Sequence, residues 1–306
     1  MTATAAALSV RPASPEDAEA VHALTRAAFA GQESLDPPSG AMRESVEDVA
    51  AWLAENGGTV VVDPTGEIVA TARFSHQDGG FWLRRVAVRP DLQGQGLDSL
   101  LLDAGEREAA RLGHDMLRVG VRAPLTANLA YWRRRGFLDH AAHGFWLELH
   151  RRLPVELTLP TAADTTALGQ RLAGLLRAGD LVLLSGDLGA GKTTMTRGIG
   201  AGLGVRGEVT SPTFVIARVH PSLGDGPALV HVDAYRLHDL AEVDDLDLEA
   251  SLDESVTVVE WGEGMVEGLA TDRLEVVLHR GSDASDETRT ARLRPVGRRW
   301  LDVGLS

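Results

Sequence analysis

The stretch GDLGAGKTT, residues 186–194, restricts the possible fold of this chain more than any other segment. It matches the pattern Gly-x-x-x-x-Gly-Lys-Thr, follows the apolar segment 181–185, and opens a segment with the pattern of a helix. Glycines let backbone N–H groups curl around phosphate oxygens, and a helix N-terminus adds the positive end of its dipole. The stretch therefore predicts a strand, a phosphate-binding loop and a helix in succession, which is typical of an α/β sheet.

Lys192, inside this stretch, is the only lysine among the 30 basic residues of the chain. The lysine of such a loop must reach the β- and γ-phosphates from an enclosed position, as a slender point charge. A guanidinium group is broader and planar, so arginine fits that position poorly. We therefore predict that Lys192 binds the phosphates of a nucleoside triphosphate and is needed for catalysis.

A magnesium site is expected beside the loop, because the hydroxyl group of Thr193 would bind Mg²⁺. Such a site also needs an acidic side chain at the end of a strand, to hold the magnesium or to position water. Asp233 follows the apolar run ALVHV, and Glu260 follows the apolar run SVTVV. The residues alone leave the choice between these two acids open.

Strand and helix patterns alternate along both halves of the 306 residues, and the pattern restarts around RRLPVELTLP, residues 151–160. We therefore predict an α/β protein of two domains. Residues 1–152 are expected to form a mixed sheet that closes with one strand at 145–153. Residues 153–306 are expected to form a sheet of mostly parallel strands, with the polar, arginine-rich tail 281–306 as a frayed edge strand.

The composition excludes several classes of protein. The chain has no cysteine, which excludes disulfides and thiolate metal sites and fits a cytoplasmic protein. No apolar run is long enough to span a membrane, and the first residues lack the basic region of a signal peptide. The net charge is −14, so high-affinity binding of nucleic acid by this chain alone is disfavoured. RNA chemistry, if any, is expected to run through partner proteins.

Four short motifs of the second half give a family resemblance: GDLGAGKTT, SPTF (211–214), HVDAYRL (231–237) and VEW (259–261), in that order. Residues 155–280 resemble the TsaE family, the ATPase subunit of the bacterial machinery that makes threonylcarbamoyladenosine in tRNA. The resemblance implies ATP and Mg²⁺ binding, weak intrinsic hydrolysis, and action with two partner subunits. Those partners transfer threonylcarbamoyl to an adenosine beside the anticodon, so contact with tRNA is expected to be indirect.

The resemblance also implies roles for individual residues. Thr193 and Glu260 would hold magnesium, Trp261 would lie near the nucleotide, and Thr213 would belong to a switch-like loop. Asp233, Tyr235 and Arg236 belong to a motif that the family needs for activity. Ala234 and Gly262 depart from the usual family residues without removing a charge or a donor. The residues expected to surround the triphosphate are Asp187, Leu188, Gly189, Ala190, Gly191, Lys192, Thr193 and Thr194.

The first half contains a strand, a Gln-Gly-x-Gly turn and a helix in RRVAVRPDLQGQGLDSLLLDAGEREA, followed later by NLAYWRRRGF. Amides at the N-terminus of that helix could bind a pyrophosphate without a lysine. Residues 8–150 resemble the GNAT acetyltransferase superfamily, which implies acetyl-CoA as cofactor. By that resemblance, Asn128 would contact the CoA arm and Tyr131 would protonate the leaving thiolate. The backbone contacts would come from Val86, Ala87 and Val88 for pantetheine, and Gln93, Gly94, Gln95, Gly96 and Leu97 for pyrophosphate.

One residue departs from the GNAT pattern: Asp98 stands where the family has glycine or alanine. A carboxylate close to two phosphates is unfavourable unless it points away or caps the helix. We expect Asp98 to weaken CoA binding without abolishing it. The acceptor amine is not identified, and the general base could be Glu33, Glu44, Asp78 or a water molecule.

Two alternatives to this interpretation remain open. The second half could be a small-molecule kinase with a phosphate-binding loop, although no lid insertion is evident between residues 205 and 255. The chain could also be chiefly a scaffold, with a catalytically inactive GNAT domain. The acidic run at 237–254 is interpreted as a solvated helix face, with a docking surface for a basic partner as the second reading.

Overall fold

The structure is a computed structural model that describes residues 8–30, 39–212, 217–236, 253–263, 265–266, 269–281 and 287–305. The chain divides into two compact units, Met1–Leu153 and Pro154–Ser306. Glu33, Thr213, the side chain of Arg236 and the acidic segment 237–252 lie outside the described residues, so the expectations stated for them stay expectations. None of the described helices has both the length and the apolar character needed to cross a membrane.

The first unit is built on a seven-stranded sheet in the order β1-β2-β3-β4-β5-β7-β6. Only the β4–β5 pairing is parallel among these strands. The strands are β1 Ser9–Pro12, β2 Gly58–Val62, β3 Ile68–Gln77, β4 Gly80–Val88, β5 Met116–Arg122, β6 Leu138–His143 and β7 Trp146–Arg152. The helices are α1 Ala18–Phe29, α2 Val46–Asn56, α3 Leu97–Arg111 and α4 Thr126–Arg134.

Helices cover both faces of this sheet. Val61 packs with residues of α3 and α4, whereas Val60 packs with residues of α1 and α2. Neighbouring residues of a strand point to opposite faces, so the two helix pairs lie on opposite sides. The helix ends follow local chemistry: Ser45 and Asp48 form a reciprocal capping box at the start of α2.

A β-bulge in β4 opens the sheet. The pairing of β4 with β3 shifts register between Thr71 and Arg73, and Arg85 of β4 has a φ of +51°. Beyond this point β4 no longer pairs with β5, because their ladder covers only Phe81–Leu83 and Leu117–Val119. A bulge adds twist and ends pairing locally. The result is a cleft between two neighbouring parallel strands.

The second unit also has a seven-stranded sheet, in the order β10-β11-β12-β9-β13-β14-β8. The four central strands are parallel, and the outer pairings are antiparallel. The expected α/β class is confirmed for both units. The strands are β8 Val155–Leu159, β9 Leu181–Ser185, β10 Ala217–His220, β11 Ala228–Asp233, β12 Ser255–Glu260, β13 Arg273–Arg280 and β14 Arg289–Val296. The helices are α5 Ala162–Ala173 and α6 Lys192–Leu203.

One expectation about strands is wrong. The tail does not supply an edge strand: β14 lies between β13 and β8, and Ala291, Leu293 and Trp300 are fully buried. Apolar residues alternate with arginines along β14, which is the pattern of a strand with one buried face. The edge strand on this side of the sheet is β8, within the segment read as a seam. The closing strand expected in the first unit is present as β7, which forms a hairpin with β6.

Close contact between α5 and α6 fixes the start of α6 at the end of β9. A Cβ atom on Gly198 of α6 would overlap the carbonyl oxygen of Thr166, and one on Gly169 of α5 would overlap that of Met195. Only glycine permits this approach of two helix backbones. Both helices pack on the core that contains Val182 and Leu184 of β9.

Candidate nucleotide and acyl-CoA sites

The glycine-rich loop, residues 186–191, connects the buried strand β9 to α6. Gly186 has a φ of +135°, and a Cβ atom there would overlap the carbonyl oxygen of Leu278 in β13. Gly191, with a φ of +106°, is the N-cap residue of α6. Both positions require glycine because larger residues rarely adopt such angles. The loop is therefore fixed by its neighbours as well as by its own sequence.

Lys192 is the first residue of α6 and is only 5% exposed. Its Nζ atom donates to the carbonyl oxygens of Gly186 at 2.6 Å and Asp187 at 2.9 Å, and lies 3.6 Å from the centre of the Trp261 ring. Burial lowers the pKa of its ammonium group, and the carboxylates of Glu260, Asp233 and Asp187 oppose that shift. The cation is thus held inside the loop, facing its carbonyl groups.

The other loop residues expected to surround the triphosphate differ in what they can offer. Leu188 is 85% exposed, whereas Ala190 is fully buried in the core. The N–H group of Ala190 donates to the carbonyl oxygen of Asp187 at 3.1 Å, so that donor is already used within the loop. Thr193 and Thr194 are half-buried in the first turn of α6.

Asp233 and Glu260 are register partners at the ends of β11 and β12, the strands on one side of β9. An Oε atom of Glu260 accepts a hydrogen bond from the hydroxyl group of Thr193 at 3.0 Å. Asp233 instead accepts from the hydroxyl group of Ser211 at 2.9 Å and from the backbone N–H of Tyr235 at 3.2 Å. Of the two acids, Glu260 is thus the one against Thr193, and Asp233 connects the SPTF segment to the sheet.

Two further residues hold Glu260 in place, and sequence reasoning did not single them out. The hydroxyl group of Thr196 donates to Glu260 at 3.0 Å, and Nε2 of the fully buried His231 lies 2.8 Å from the same carboxylate. His231 could have been predicted from the sequence, because it lies two residues before Asp233 and therefore on the same face of β11. Thr196 lies three residues after Thr193, on the same side of α6.

The donor set of this site suits a magnesium ion. Mg²⁺ prefers hard oxygen ligands, usually one or two from the protein with water and phosphate oxygens completing the shell. Thr193 and Glu260 supply a hydroxyl and a carboxylate oxygen that already lie 3.0 Å apart. The residues present therefore fit the ion that the motif implies.

Trp261 follows directly after Glu260, with a φ of +63° and its N–H bonded to the carbonyl oxygen of Leu184 at 3.1 Å. A left-handed conformation is strained for a bulky residue and is found most often at functional sites. Its ring contacts that of Tyr235, which is 65% exposed. A cavity of about 170 Å³ beside the loop is lined by Ala162, Thr165, Gly189, Gly191, Thr194, Glu287 and Arg289.

A larger cavity of about 590 Å³ occupies the cleft between β4 and β5 in the first unit. The residues named from the GNAT resemblance that line it are Val86, Ala87, Val88, Gln93, Gly94, Gly96, Asn128 and Tyr131. Gln95 does not line it, and the Leu97 side chain is buried in the core. Gly94 and Gly96 have φ values of +78° and +84°, which explains glycine at both positions. The cavity therefore reaches from the open strands to the N-terminus of α3.

Asp98, in the first turn of α3, is engaged by two donors. Its carboxylate accepts hydrogen bonds from the hydroxyl group of Tyr131 and from the guanidinium of Arg135. Burial, together with the hydrogen bond to Asp98, raises the pKa of the Tyr131 phenol well above its usual value. Two residues named separately from the sequence, Asp98 and Tyr131, thus form one cluster with Arg135.

The two described candidates for general base lie in different environments. Glu44 is paired with Arg73 at 2.6 Å and with Arg85 at 2.8 Å. Burial raises the pKa of Glu44, but the hydrogen bonds from Arg85 and Arg73 outweigh it and leave that pKa below its usual value. Asp78 is exposed in the turn between β3 and β4. A carboxylate with a lowered pKa and two arginine partners is a weak base, so Glu44 is disfavoured.

Comparison with known proteins finds similarity to a different family in each unit. Residues 159–290 match the sequence model of the family described as threonylcarbamoyl adenosine biosynthesis protein TsaE. Residues 22–137 match that of the acetyltransferase (GNAT) family.

A solved structure similar to the first unit is PaiA N-acetyltransferase from Thermoplasma acidophilum in complex with coenzyme A. It is 14% identical with a TM-score of 0.42, and the match covers 48% of this chain and 99% of the PaiA chain.

Two relatives of the second unit are both described as tRNA threonylcarbamoyladenosine biosynthesis protein TsaE. The protein of Streptomyces coelicolor is 66% identical over 141 residues, which cover 45% of this chain and 95% of that protein. The protein of Bacillus subtilis is 39% identical over 139 residues, covering 45% of this chain and 83% of that protein. These relatives show that this chain belongs to the TsaE family, with a GNAT-type unit preceding the matched residues.

Proposed function

We propose that residues 153–306 bind and hydrolyse ATP in the cytoplasmic biosynthesis of threonylcarbamoyladenosine in tRNA, together with two partner subunits. Residues 1–152 form, in this proposal, a fused N-acetyltransferase domain that uses acetyl-CoA. The observation that carries the first part is the convergence of Lys192, Thr193 and Glu260 at the end of β9, in a chain of the TsaE family. These are the cation, hydroxyl and carboxylate that a magnesium nucleotide needs.

In this proposal, Lys192 exchanges its bonds to the loop carbonyls for bonds to the β- and γ-phosphates, which are stronger because both partners are charged. Thr193 and Glu260 hold the magnesium ion, which would neutralise part of the phosphate charge when bound. His231 and Thr196 keep the Glu260 carboxylate oriented toward Thr193. The cavity lined by Thr165 and Arg289 is the proposed place for the nucleoside.

Asp233 has a separate role in the proposal. Its carboxylate joins Ser211 of the SPTF segment to the end of β11. In our proposal, bound nucleotide would stabilise this connection, and loss of the nucleotide's terminal phosphate would weaken it. Hydrolysis would then reset the complex with the partner subunits between turnovers, without taking part in the acyl transfer itself.

A genetic experiment tests the proposed role in tRNA modification. A bacterial strain depleted of its own TsaE would carry either this chain or its Lys192→Ala variant, and threonylcarbamoyladenosine would be measured by mass spectrometry of tRNA nucleosides. We expect the unaltered chain to restore the modification and Lys192→Ala to fail. Leu223→Ala, at an exposed position outside the loop, is the matched control. Normal modification with Lys192→Ala would contradict the proposal.

For the first unit, the proposed reaction is attack of an amine nitrogen on the acetyl carbonyl carbon, with cleavage of the C–S bond of acetyl-CoA. The amine loses a proton to a base or to water, the CoA thiolate gains one from Tyr131, and Tyr131 regains its proton from solvent. The backbone of Val86–Val88 is exposed to pantetheine in the open cleft, and the α3 N-terminus faces the pyrophosphate. A raised pKa keeps the Tyr131 phenol protonated at neutral pH. Calorimetry with acetyl-CoA tests this, and absence of binding would contradict it.

A catalytically inactive GNAT unit is the second candidate, and one observation favours it. The Tyr131 hydroxyl donates a hydrogen bond to Asp98. The hydroxyl must therefore turn away from Asp98 before it can protonate a thiolate. Acetyl-CoA binding without CoA release from any amine would support this candidate.

A further inference from the structure

Arg122, the last residue of β5, is a buried cation that lines the large cavity. Its side chain is only 4% exposed, and within the described residues it makes no hydrogen bond or ion pair. Buried arginines are normally paired, because the protein must replace the water that the charge has lost. The Arg122 guanidinium therefore has unused donors directed at a space that a ligand can enter.

Arg84 of β4 is a second incompletely satisfied cation in the same cavity. Its Nε atom is buried without a partner among the described residues, and its guanidinium lies 4.5 Å from the centre of the Trp82 ring. Its one hydrogen bond goes to the neutral side chain of Gln77, at 2.9 Å. Glu148 and Asp78 act on Arg84 only from a distance, and Glu148 is itself paired with Arg118 at 3.1 Å.

These two arginines lie on the face of the sheet away from α3. Leu83 and Val119 pack in the core with Leu101 of α3, so the alternating residues Arg84, Gly120 and Arg122 point to the opposite face. A Cβ atom placed on Gly120 would have Arg84 Nη1 at 3.7 Å and the Trp146 ring at 3.8 Å. Arg84 thus reaches across β5 toward Trp146. Its guanidinium lies beside Gly120, which is two residues before Arg122 on the same face of β5.

The cavity wall carries an excess of positive charge at Arg84 and Arg122. The charged residues that line the cavity are Arg84, Arg85, Asp98, Arg122 and Arg135. Arg85 shares the carboxylate of Glu44 with Arg73, and Arg135 pairs with Asp98. Arg84 and Arg122 remain as two cations without a carboxylate partner in the described structure. The pyrophosphate of CoA is expected at the α3 N-terminus and not on this face.

We infer that Arg122 and Arg84 bind a carboxylate group of the acceptor, so that the substrate of the GNAT-type unit is a small amine that also carries a carboxylate. Trp146, which lines the cavity, provides a flat apolar wall for its carbon chain. A diamine or polyamine is disfavoured at the same place, because it would bring a second positive charge against two arginines. This inference rests on the proposed acetyltransferase function, and it names the substrate class.

The test uses the full chain and two probes of equal length, glutarate with two carboxylates and cadaverine with two ammonium groups. Binding is measured by calorimetry in the presence and absence of acetyl-CoA. We expect glutarate to bind and cadaverine not to bind. Arg122→Gln and Arg84→Gln should each weaken glutarate binding by about tenfold or more, as for loss of a charge-assisted hydrogen bond. Arg111→Gln, at an exposed position on α3, should leave it unchanged.

Acetyl-CoA binding is measured on the same samples, so failure of the cofactor site is seen separately from failure of the anion site. Arg122→Lys, which keeps the charge, should retain more glutarate affinity than Arg122→Gln and serves if the latter does not fold. Cadaverine binding as well as glutarate would overturn the inference. So would glutarate affinity that is the same in Arg122→Gln, Arg84→Gln and the unaltered chain.

Discussion

The ammonium group of Lys192 is surrounded by groups that carry no formal charge at contact distance. The carbonyl oxygens of Gly186 and Asp187 accept its hydrogen bonds, and the Trp261 ring covers it. Neutral carbonyls bind an ammonium less strongly than anionic phosphate oxygens do. In the proposed function, a buried cation with weak partners is well prepared to exchange them for a phosphate group.

Glu260 should control the magnesium dependence of nucleotide binding. We expect Glu260→Gln to weaken ATP binding in the presence of Mg²⁺ by at least about tenfold, because it removes an anionic oxygen ligand. Binding without Mg²⁺ should change much less. Titration of ATP with and without Mg²⁺ measures both quantities. Glu208→Gln, at an exposed position, is the control, and an equal effect of Mg²⁺ on Glu260→Gln and the unaltered chain would contradict the assignment.

Asp98 should set the ionisation of Tyr131. Asp98→Asn removes a negative charge that raises the pKa of Tyr131 and leaves Arg135, which lowers it, so that pKa should fall. The chain has only two tyrosines, and a Tyr235→Phe background leaves one tyrosinate absorbance to titrate. A Tyr131 pKa that does not move in Asp98→Asn would refute the described hydrogen bond.

The raised pKa of Tyr131 also makes the free energy of unfolding depend on pH. Because the folded-state pKa of Tyr131 is raised, its contribution to stability is complete below the unfolded-state value of about 10. That contribution is lost as the pH rises from there toward the folded-state pKa.

At the scale of elements, sequence reasoning succeeded where a local motif determines the structure. Residues 181–194 were expected to form a strand, a loop and a helix, because glycine, lysine and an apolar run carry that information locally. The β4 bulge at Arg85 was not expected, since it depends on how β4 pairs with β3 and pulls away from β5. The position of β14 was missed for a similar reason: its arginines face outward, and only pairing with β8 and β13 shows that Leu293 is core.

The contact between α5 and α6 predicts that Gly198→Ala destabilises the protein. Helix propensity alone favours Gly198→Ala by about 1 kcal/mol. The overlap with the Thr166 carbonyl should outweigh this gain, since overpacking costs about 1–3 kcal/mol. We therefore expect a lower free energy of unfolding in urea. Gly224→Ala, with nothing within 4 Å of the added carbon, is the control. A more stable Gly198→Ala would show that the helices are not in this close contact.

For the whole molecule, charge limits what the chain can bind unaided. Residues 1–153 contain 16 basic and 20 acidic residues, and the remainder contains 14 and 24, so both halves are acidic. Such surfaces repel a phosphate backbone. We expect the isolated chain to bind tRNA with a Kd weaker than about 10⁻⁴ M near physiological salt, measured by electrophoretic mobility shift. Sub-micromolar binding without partners would contradict the indirect role proposed for tRNA.

Calorimetric titration of the full chain with ATP and Mg²⁺ tests the central claim, that Lys192 binds the triphosphate, most directly. The unaltered chain should bind one ATP per chain in a magnesium-dependent manner. Lys192→Ala should abolish that binding while its circular dichroism spectrum stays the same. Lys192→Arg should not restore it, because the enclosed position between the Gly186 carbonyl and the Trp261 ring suits only a slender cation. ATP binding of undiminished affinity in Lys192→Ala would contradict the account.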